Sequence, residues 1–261
     1  HEGTSYFSCP NLDYYSKDEV QEFIYQYSIS DEGEFQYEEK CKLKDRISWT
    51  GTKHYLFHDP TNSRLCAYKY AKGLPNTIYV VDFKSGCQAI ELQLSNRSEK
   101  DQLYPIGWMD SDTIVATRVS KSLELEFWLM DTDGENELLY STEPGIKVMR
   151  ALGRYPMAYY NEGRQSIIFF TGRNPPVSDP NINPENLKLR EYFLSGALID
   201  HKSEMITEHL QDARLVGNGE SIIMNPRGGS ILYNLFTGVY SVFEDASISI
   251  DNFSPDARHY I

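Results

Sequence analysis

The chain is 261 residues long, 40% apolar and 24% charged, with a formal net charge of −13. That composition describes a globular protein with enough length for a large core, and it excludes a disordered chain. The acidic balance excludes general binding to nucleic acid or an anionic membrane, which needs an excess of Lys and Arg, and leaves room only for a local basic patch. Aromatics reach 13%, mostly Tyr, which favours strands over helices. No apolar run approaches the ~18 residues of a membrane span, so no membrane insertion is expected. No signal peptide is visible and the chain opens on His1, which reads as a mature or excised fragment.

Residues 1–20 read as an N-terminal arm or short helix, with Ser16 before Asp18 and Glu19 as a helix start. From Phe23 the hydrophobic period becomes two. FIYQYSIS and EFQYEEKCKL flank Asp31-Glu32-Gly33, a hairpin turn with its Gly.

Two hairpin types then alternate. In one, an apolar strand, a Gly/Asp/Ser/Asn turn and a second apolar strand follow each other: ISWTGTKHYLFH from Ile47, IGWMDSDTIVATR from Ile106, AYYNEGRQSIIFF from Ala158, RLVGNGESIIMN from Arg214 and NFSPDARHYI from Asn252. The other is longer: TIYVVDFKSGCQAIELQL from Thr77, LEFWLMDTDGENELLYS from Leu125, ALIDHKSEMITEHL from Ala197 and ILYNLFTGVYSVF from Ile231, with the Phe23 hairpin as its fifth copy. Turn centres at Gly51, Ser111, Gly163, Gly219 and Ala257 are 60, 52, 56 and 38 residues apart, which brackets the ~40–50 residues of a four-stranded propeller blade. The chain ends on half a unit and begins on the complementary half. The expectation is therefore an all-β, single β-propeller over 21–261. Its five four-stranded blades (six as the alternative) comprise residues 21–45 with 247–261, 46–95, 104–142, 152–210 and 211–246. Pairing of the terminal strands closes the ring and removes exposed sheet edges.

The turn-centred segments resemble the TolB-type repeat, aromatic-Ser-Pro-Asp-Gly-Lys-x-apolar-apolar-Phe followed by an outer strand ending in apolar-Asp. Phe253-Ser254-Pro255-Asp256-Ala257-Arg258 is the best copy. Trp49 and Trp108 occupy the aromatic position, as does Tyr160 before Asn161-Glu162-Gly163-Arg164. The outer-strand feature stands as Val81-Asp82, Met130-Asp131 and Ile199-Asp200. The resemblance covers nearly all the chain after Ile47, although the Pro survives once and the Gly after Asp is Ala257. It implies a TolB-like propeller and an extracytoplasmic setting such as the bacterial periplasm.

Blade-joining loops and those between second and third strands share one face of a propeller, around the channel mouth. Arg118, Arg173 and Arg227 each end a second strand, and His58 takes the equivalent point of the earlier blade. Converging guanidiniums in an acidic protein make a local anion site suited to carboxylates; the alternative is rim arginines paired to nearby Asp or Glu. The stretch Arg173–Lys188 carries Pro175, Pro176, Pro180 and Pro184 and would overhang the same mouth, as a binding loop or a tolerated insertion. Its Asn174, Asp179 and Asn181 are counted with the arginines as partner-binding residues.

Other chemistry is thinner. Cys9, Cys41, Cys66 and Cys87 lack metal spacing. Their even count fits two disulfides, Cys9–Cys41 and Cys66–Cys87 closing the shortest loops, or four buried thiols. Asp131-Thr132-Asp133-Gly134-Glu135 reads as a hairpin turn rather than a calcium loop. His58-Asp59-Pro60 resembles the Asp-Pro that opens five-bladed arabinanase-type glycosidases, which need a second carboxylate across the sugar. The sequence thus supports a monomeric, non-catalytic scaffold without metal or cofactor that binds a protein or peptide at the channel mouth. The alternative is a five-bladed carbohydrate-active enzyme.

Overall fold

The computed structural model describes residues 5–10, 22–29, 34–43, 57–61, 63–69, 77–94, 98, 101–122, 124–151, 155–173, 185–206, 209–226 and 229–244. These residues are built from antiparallel sheets. A three-stranded sheet β1-β2-β3 comprises Ser5–Pro10, Glu22–Ile29 and Phe35–Leu43. Four four-stranded sheets follow the same up-and-down order. The first comprises β4 (Phe57–His58), β5 (Arg64–Lys69), β6 (Thr77–Asp82) and β7 (Gln88–Leu92). The second comprises β8 (Gln102–Trp108), β9 (Thr113–Val119), β10 (Leu125–Asp131) and β11 (Asn136–Ser141). After a short pair, β12 (Arg150–Ala151) and β13 (Tyr155–Pro156), the third comprises β14 (Ala158–Asn161), β15 (Ser166–Arg173), β16 (Glu185–Phe193) and β17 (Leu198–His201). The fourth comprises β18 (Leu210–Val216), β19 (Ser221–Pro226), β20 (Gly229–Asn234) and β21 (Tyr240–Glu244).

The chain divides into two compact units, residues 1–116 with 129–136, and 117–128 with 137–261. Within each, burial follows strand position. Second strands are buried on both faces: Ile114 to Ala116 of β9 and Ser166 to Phe170 of β15 are fully enclosed. Fourth strands are wet, with every residue of β21 exposed. A strand enclosed on both faces needs a continuous apolar run rather than alternation, and Thr-Ile-Val-Ala-Thr and Ser-Ile-Ile-Phe-Phe supply it. The core of the second unit gathers Met149, Met157, Ile168, Phe170, Leu189, Leu210, Ile222, Met224 and Ile231. Beside it Phe127 stacks on Tyr140 at 5.7 Å and meets the edge of Phe169 at 5.0 Å. Each such enclosed large side chain contributes about 1.5–3 kcal/mol.

Three expectations need correcting. The first four-stranded sheet does not take its initial hairpin from ISWTGTKHYLFH. Its first turn is Asp59–Ser63, between β4 and β5, where a Pro and a carboxylate able to hold three backbone N–H groups stop the strand more firmly than a lone Gly. The four initial turns then recur roughly every 50 residues. In the third sheet the outer hairpin is β16–β17 rather than ALIDHKSEMITEHL, and β16 starts at Glu185, so the last residues assigned to the Pro-rich loop belong to a strand. Ser5–Pro10 of the expected arm is likewise a strand, in register along β2 from Ser5↔Tyr27 to Pro10↔Glu22. The expected terminal strand, residues 247–261, lies outside the described residues.

Cys66 and Cys87 do not bridge. Cys66 is a free, buried thiol on β5, whereas Cys87 is disulfide-bonded. Cys9 and Cys41 lie on β1 and β3, and their side chains are outside the described residues.

Candidate functional site

Arg118 and Arg173 both sit at the far ends of second strands, β9 and β15. Arg118 Nη1 lies 3.1 Å from Glu126 Oε2 on the neighbouring strand, and the same oxygen accepts a 2.9 Å bond from Trp128 Nε1. The arginine is thereby held by a carboxylate on the adjacent inner strand, with one fifth of its side chain in solvent. Arg173 continues the ladder opposite Glu185. Arg227, Asn174, Asp179 and Asn181 lie outside the described residues. His58 departs from the expected set, because it ends β4, a first strand. In the repeat register it stands at the turn end of its sheet, not where Arg118 and Arg173 stand.

The richer chemistry is at the other strand end, where first strands turn into second ones. Asp59 accepts from the backbone N–H groups of Ser63 and Arg64, both at 2.7 Å, and from Thr61 N and Oγ1. Burial would raise its pKa, but these donors hold it below the usual carboxylate range. A carboxylate so engaged is a turn-former, and this is the residue on which the glycosidase alternative depended. Asp110 caps the next initial turn through Asp112 N and Thr113 N. Asp82, Asp131 and Asn234 cap the β6–β7, β10–β11 and β20–β21 turns. The expected turn at Asp131 is therefore present. Ile199-Asp200 departs from its assignment, since Asp200 lies within β17 and pairs with Lys188 at 3.0 Å and Arg190 at 3.1 Å.

An arginine stands at two of the initial turns, Arg64 as the first residue of β5 and Arg164 at the end of the β14–β15 turn, and each reaches a side chain of the following sheet. In the first unit, Arg64 Nη1 donates to Asp112 Oδ1 at 2.5 Å and to the Ser111 carbonyl at 3.0 Å, with Asp82 3.9 Å from its Nε. In the second, Arg164 grips Glu191 through Nε at 2.7 Å and Nη2 at 3.0 Å. Its guanidinium also lies 4.1 Å from the ring centre of Phe236 in the next sheet, a cation–π contact. Glu191 is fully enclosed and accepts further from Ser166 Oγ at 2.6 Å and His201 Nε2 at 2.9 Å. Burial alone would raise its pKa. The bonds from His201, Arg164 and Ser166 outweigh that and bring it to about 2.

Ser166, Glu191 and His201 are not a nucleophile system. The carboxylate stands between the other two, so the hydroxyl proton is directed at Glu191 and not at an imidazole base. Among the described residues no cluster of three or more His, Cys, Asp or Glu could hold a metal ion, and no helix is long and apolar enough to cross a membrane. The motif reading did not single out Arg64, Glu191 or Asn161 as a group. The basic residue after the turn in the TolB-type pattern was the available signal, and Arg164 occupies it.

Beside Arg164 lies a groove of about 560 Å³ between the β14–β15 and β18–β19 turns. Asn161 bridges it, its Nδ2 donating to the Gly219 carbonyl at 2.7 Å.

No protein-family model and no curated protein matches the sequence. Among solved structures the chain is similar to TolB from Acinetobacter baumannii, at 12% identity and TM-score 0.53, over 88% of this chain and 50% of that one. A protein assigned as TolB from Agrobacterium tumefaciens matches at 12% identity and TM-score 0.54, over 92% of this chain and 80% of that one. Prolyl oligopeptidase B from Galerina marginata matches at 10% identity and TM-score 0.55, over 88% of this chain and 31% of that one. The chain thus spans half the length of the first TolB and a third of the oligopeptidase. At these identities the likeness is one of fold, and that fold is TolB-like, of the β-propeller type.

Proposed function

We propose that the chain is a non-catalytic propeller scaffold that binds a protein or peptide partner where its second strands end. The observation that carries this reading is the recurrence of Arg118 and Arg173, both in the second unit, at the same end of the second strand of each of their sheets. Arg227 follows β19 in the same sequence position. An arginine already aligned by a carboxylate, as Arg118 is by Glu126, presents its fork at low entropic cost to a carboxylate-bearing partner. Asn174, Asp179 and Asn181, in the Pro-rich stretch that follows Arg173 in sequence, are counted with the arginines as partner-binding residues. An extracytoplasmic setting, such as the periplasm, is the reading that the TolB resemblance and the disulfide at Cys87 support.

The test is a cross-linked pull-down from a cell-envelope extract beside an Arg118→Ala, Arg173→Ala, Arg227→Ala triple variant matched for thermal stability. One dominant partner lost in the variant supports the scaffold and its face. A partner retained by the variant moves the site elsewhere, and no partner across a range of salt concentrations overturns the scaffold reading.

A further inference from the structure

We infer that the disulfide at Cys87 is a redox-sensitive latch that joins the β6–β7 turn to the N-terminal sheet β1-β2-β3, through Cys9 or Cys41. It is independent of the partner face proposed above.

Two observations carry it. The first is elimination. The chain has four cysteines. Cys87 is disulfide-bonded and Cys66 is a free thiol enclosed on β5, so the partner is Cys9 or Cys41. The second is register. Cys9 stands opposite Phe23 and Cys41 opposite Ile24, on the two strands that flank β2. Two strand spacings set their Cα atoms about 10 Å apart, whereas a disulfide needs less than about 7 Å. The expected Cys9–Cys41 bridge is therefore excluded while the sheet is paired. Both ends of the Cys87 bridge fall within one compact unit, residues 1–116 with 129–136.

The backbone at Cys87 fits a position kept for its sulfur. Its φ is +66, which a residue with a Cβ adopts only rarely. Its N–H donates to the Asp82 carbonyl at 2.9 Å, and Asp82 Oδ1 pins the turn by accepting from Lys84 N at 2.8 Å. Lys84, Ser85 and Gly86 are exposed beside it, so a small dithiol can approach the bond from the Cys87 side. The dithiol supplies two electrons and two protons. The S–S bond breaks, two cysteine thiols form, and the dithiol closes to its own disulfide. Oxidised, the bridge closes a loop of several tens of residues and so restricts the unfolded chain.

The experiment is a non-reducing peptide map of the whole chain, alkylated in denaturant, beside hydrogen exchange and thermal unfolding with and without a dithiol. The expected map holds one cross-linked peptide joining Cys87 to Cys9 or to Cys41, which separates on reduction and decides between the two. Reduction should lower Tm by roughly 5–15 °C and speed amide exchange in β1–β3 more than in β8 and β9. Cys87→Gly suits the positive φ and removes the sulfur; it should show both effects without the dithiol and no further shift with it. The map and the dithiol arms on the parent chain stand even where that variant fails to fold. A Cys66–Cys87 or Cys9–Cys41 cross-link, or Cys87 alkylated before reduction, overturns the bridge. A Tm and β1–β3 exchange unchanged by reduction overturn the latch.

Discussion

Arg164 holds Glu191 by two hydrogen bonds, 2.7 Å from Nε and 3.0 Å from Nη2, and the carboxylate it holds is wholly enclosed. Removing one partner of such a pair leaves a buried charge without its counter-charge, which costs far more than an exposed ion pair contributes. Arg164→Ala also strips the stem and guanidinium from beneath Phe236. The expected loss is about 3–5 kcal/mol in urea unfolding. Arg164→Lys should recover part of it, since a point charge cannot reproduce the fork. A loss below about 1 kcal/mol would show that the pair is not enclosed as described.

The same carboxylate sets an acid limit. Its folded pKa is about 2, against an ordinary 4.5. A depressed carboxylate contributes stability that is present above the unfolded pKa and is lost as pH falls through the folded one. Glu191 should therefore contribute about 3 kcal/mol at neutral pH that disappears between roughly pH 5 and pH 2. Asp59, also lowered, acts with the same sign in that window. Urea midpoints measured across it should slope downward toward acid in the parent, with a shallower slope in Glu191→Gln. Equal slopes would mean other groups carry the acid sensitivity.

Asn161 and Gly219 constrain each other. Gly219 has φ +83, where side chains are strained, and an added Cβ would also collide with the Asn161 amide. Gly219→Ala should cost about 2–3 kcal/mol, from backbone strain and contact together. In Asn161→Ala/Gly219→Ala the contact is gone while the strain stays. The double variant should then be less destabilised than the sum of the singles, with a coupling of about 1 kcal/mol in chemical unfolding. Strict additivity would place the whole effect in the backbone.

The repeated sheets were legible because hydrophobic runs and turn residues are local properties. The β8–β9, β10–β11, β14–β15, β18–β19 and β20–β21 hairpins stand where the alternation of hairpin types puts them. The first four-stranded sheet departs from the Gly51-centred expectation because Asp59-Pro60-Thr61 owes its strength as a turn to side-chain bonds back to the backbone, which a pattern of Gly and apolar residues does not display. That shift of one strand also misplaced His58. The sites were less legible than the sheets. Glu191 sits 27 residues from Arg164 and 10 from His201, and only the pairing of β15 with β16 and of β16 with β17 brings the three together. Asn161 looked like a turn residue, and its reach to Gly219, 58 positions on, exists only once two sheets are neighbours.

Cys66 gives a probe of the core that is separate from these networks. It lies opposite Val80 in the β5–β6 ladder with no exposed surface, and burial pushes its thiol well above the ordinary range. The thiolate is the reactive form, so an enclosed and protonated Cys66 should resist alkylation in the native protein. Cys87, in its disulfide, should resist for a different reason. Labelling with one isotopic form of iodoacetamide under native conditions, a second in urea and a third after reduction separates the two by peptide mass. Cys66 should carry the second label, at a rate that follows unfolding, and Cys87 the third. Native labelling of Cys66 at the rate of a small-molecule thiol would mean that β5 is open to solvent, and labelling of Cys87 before reduction would remove its bridge.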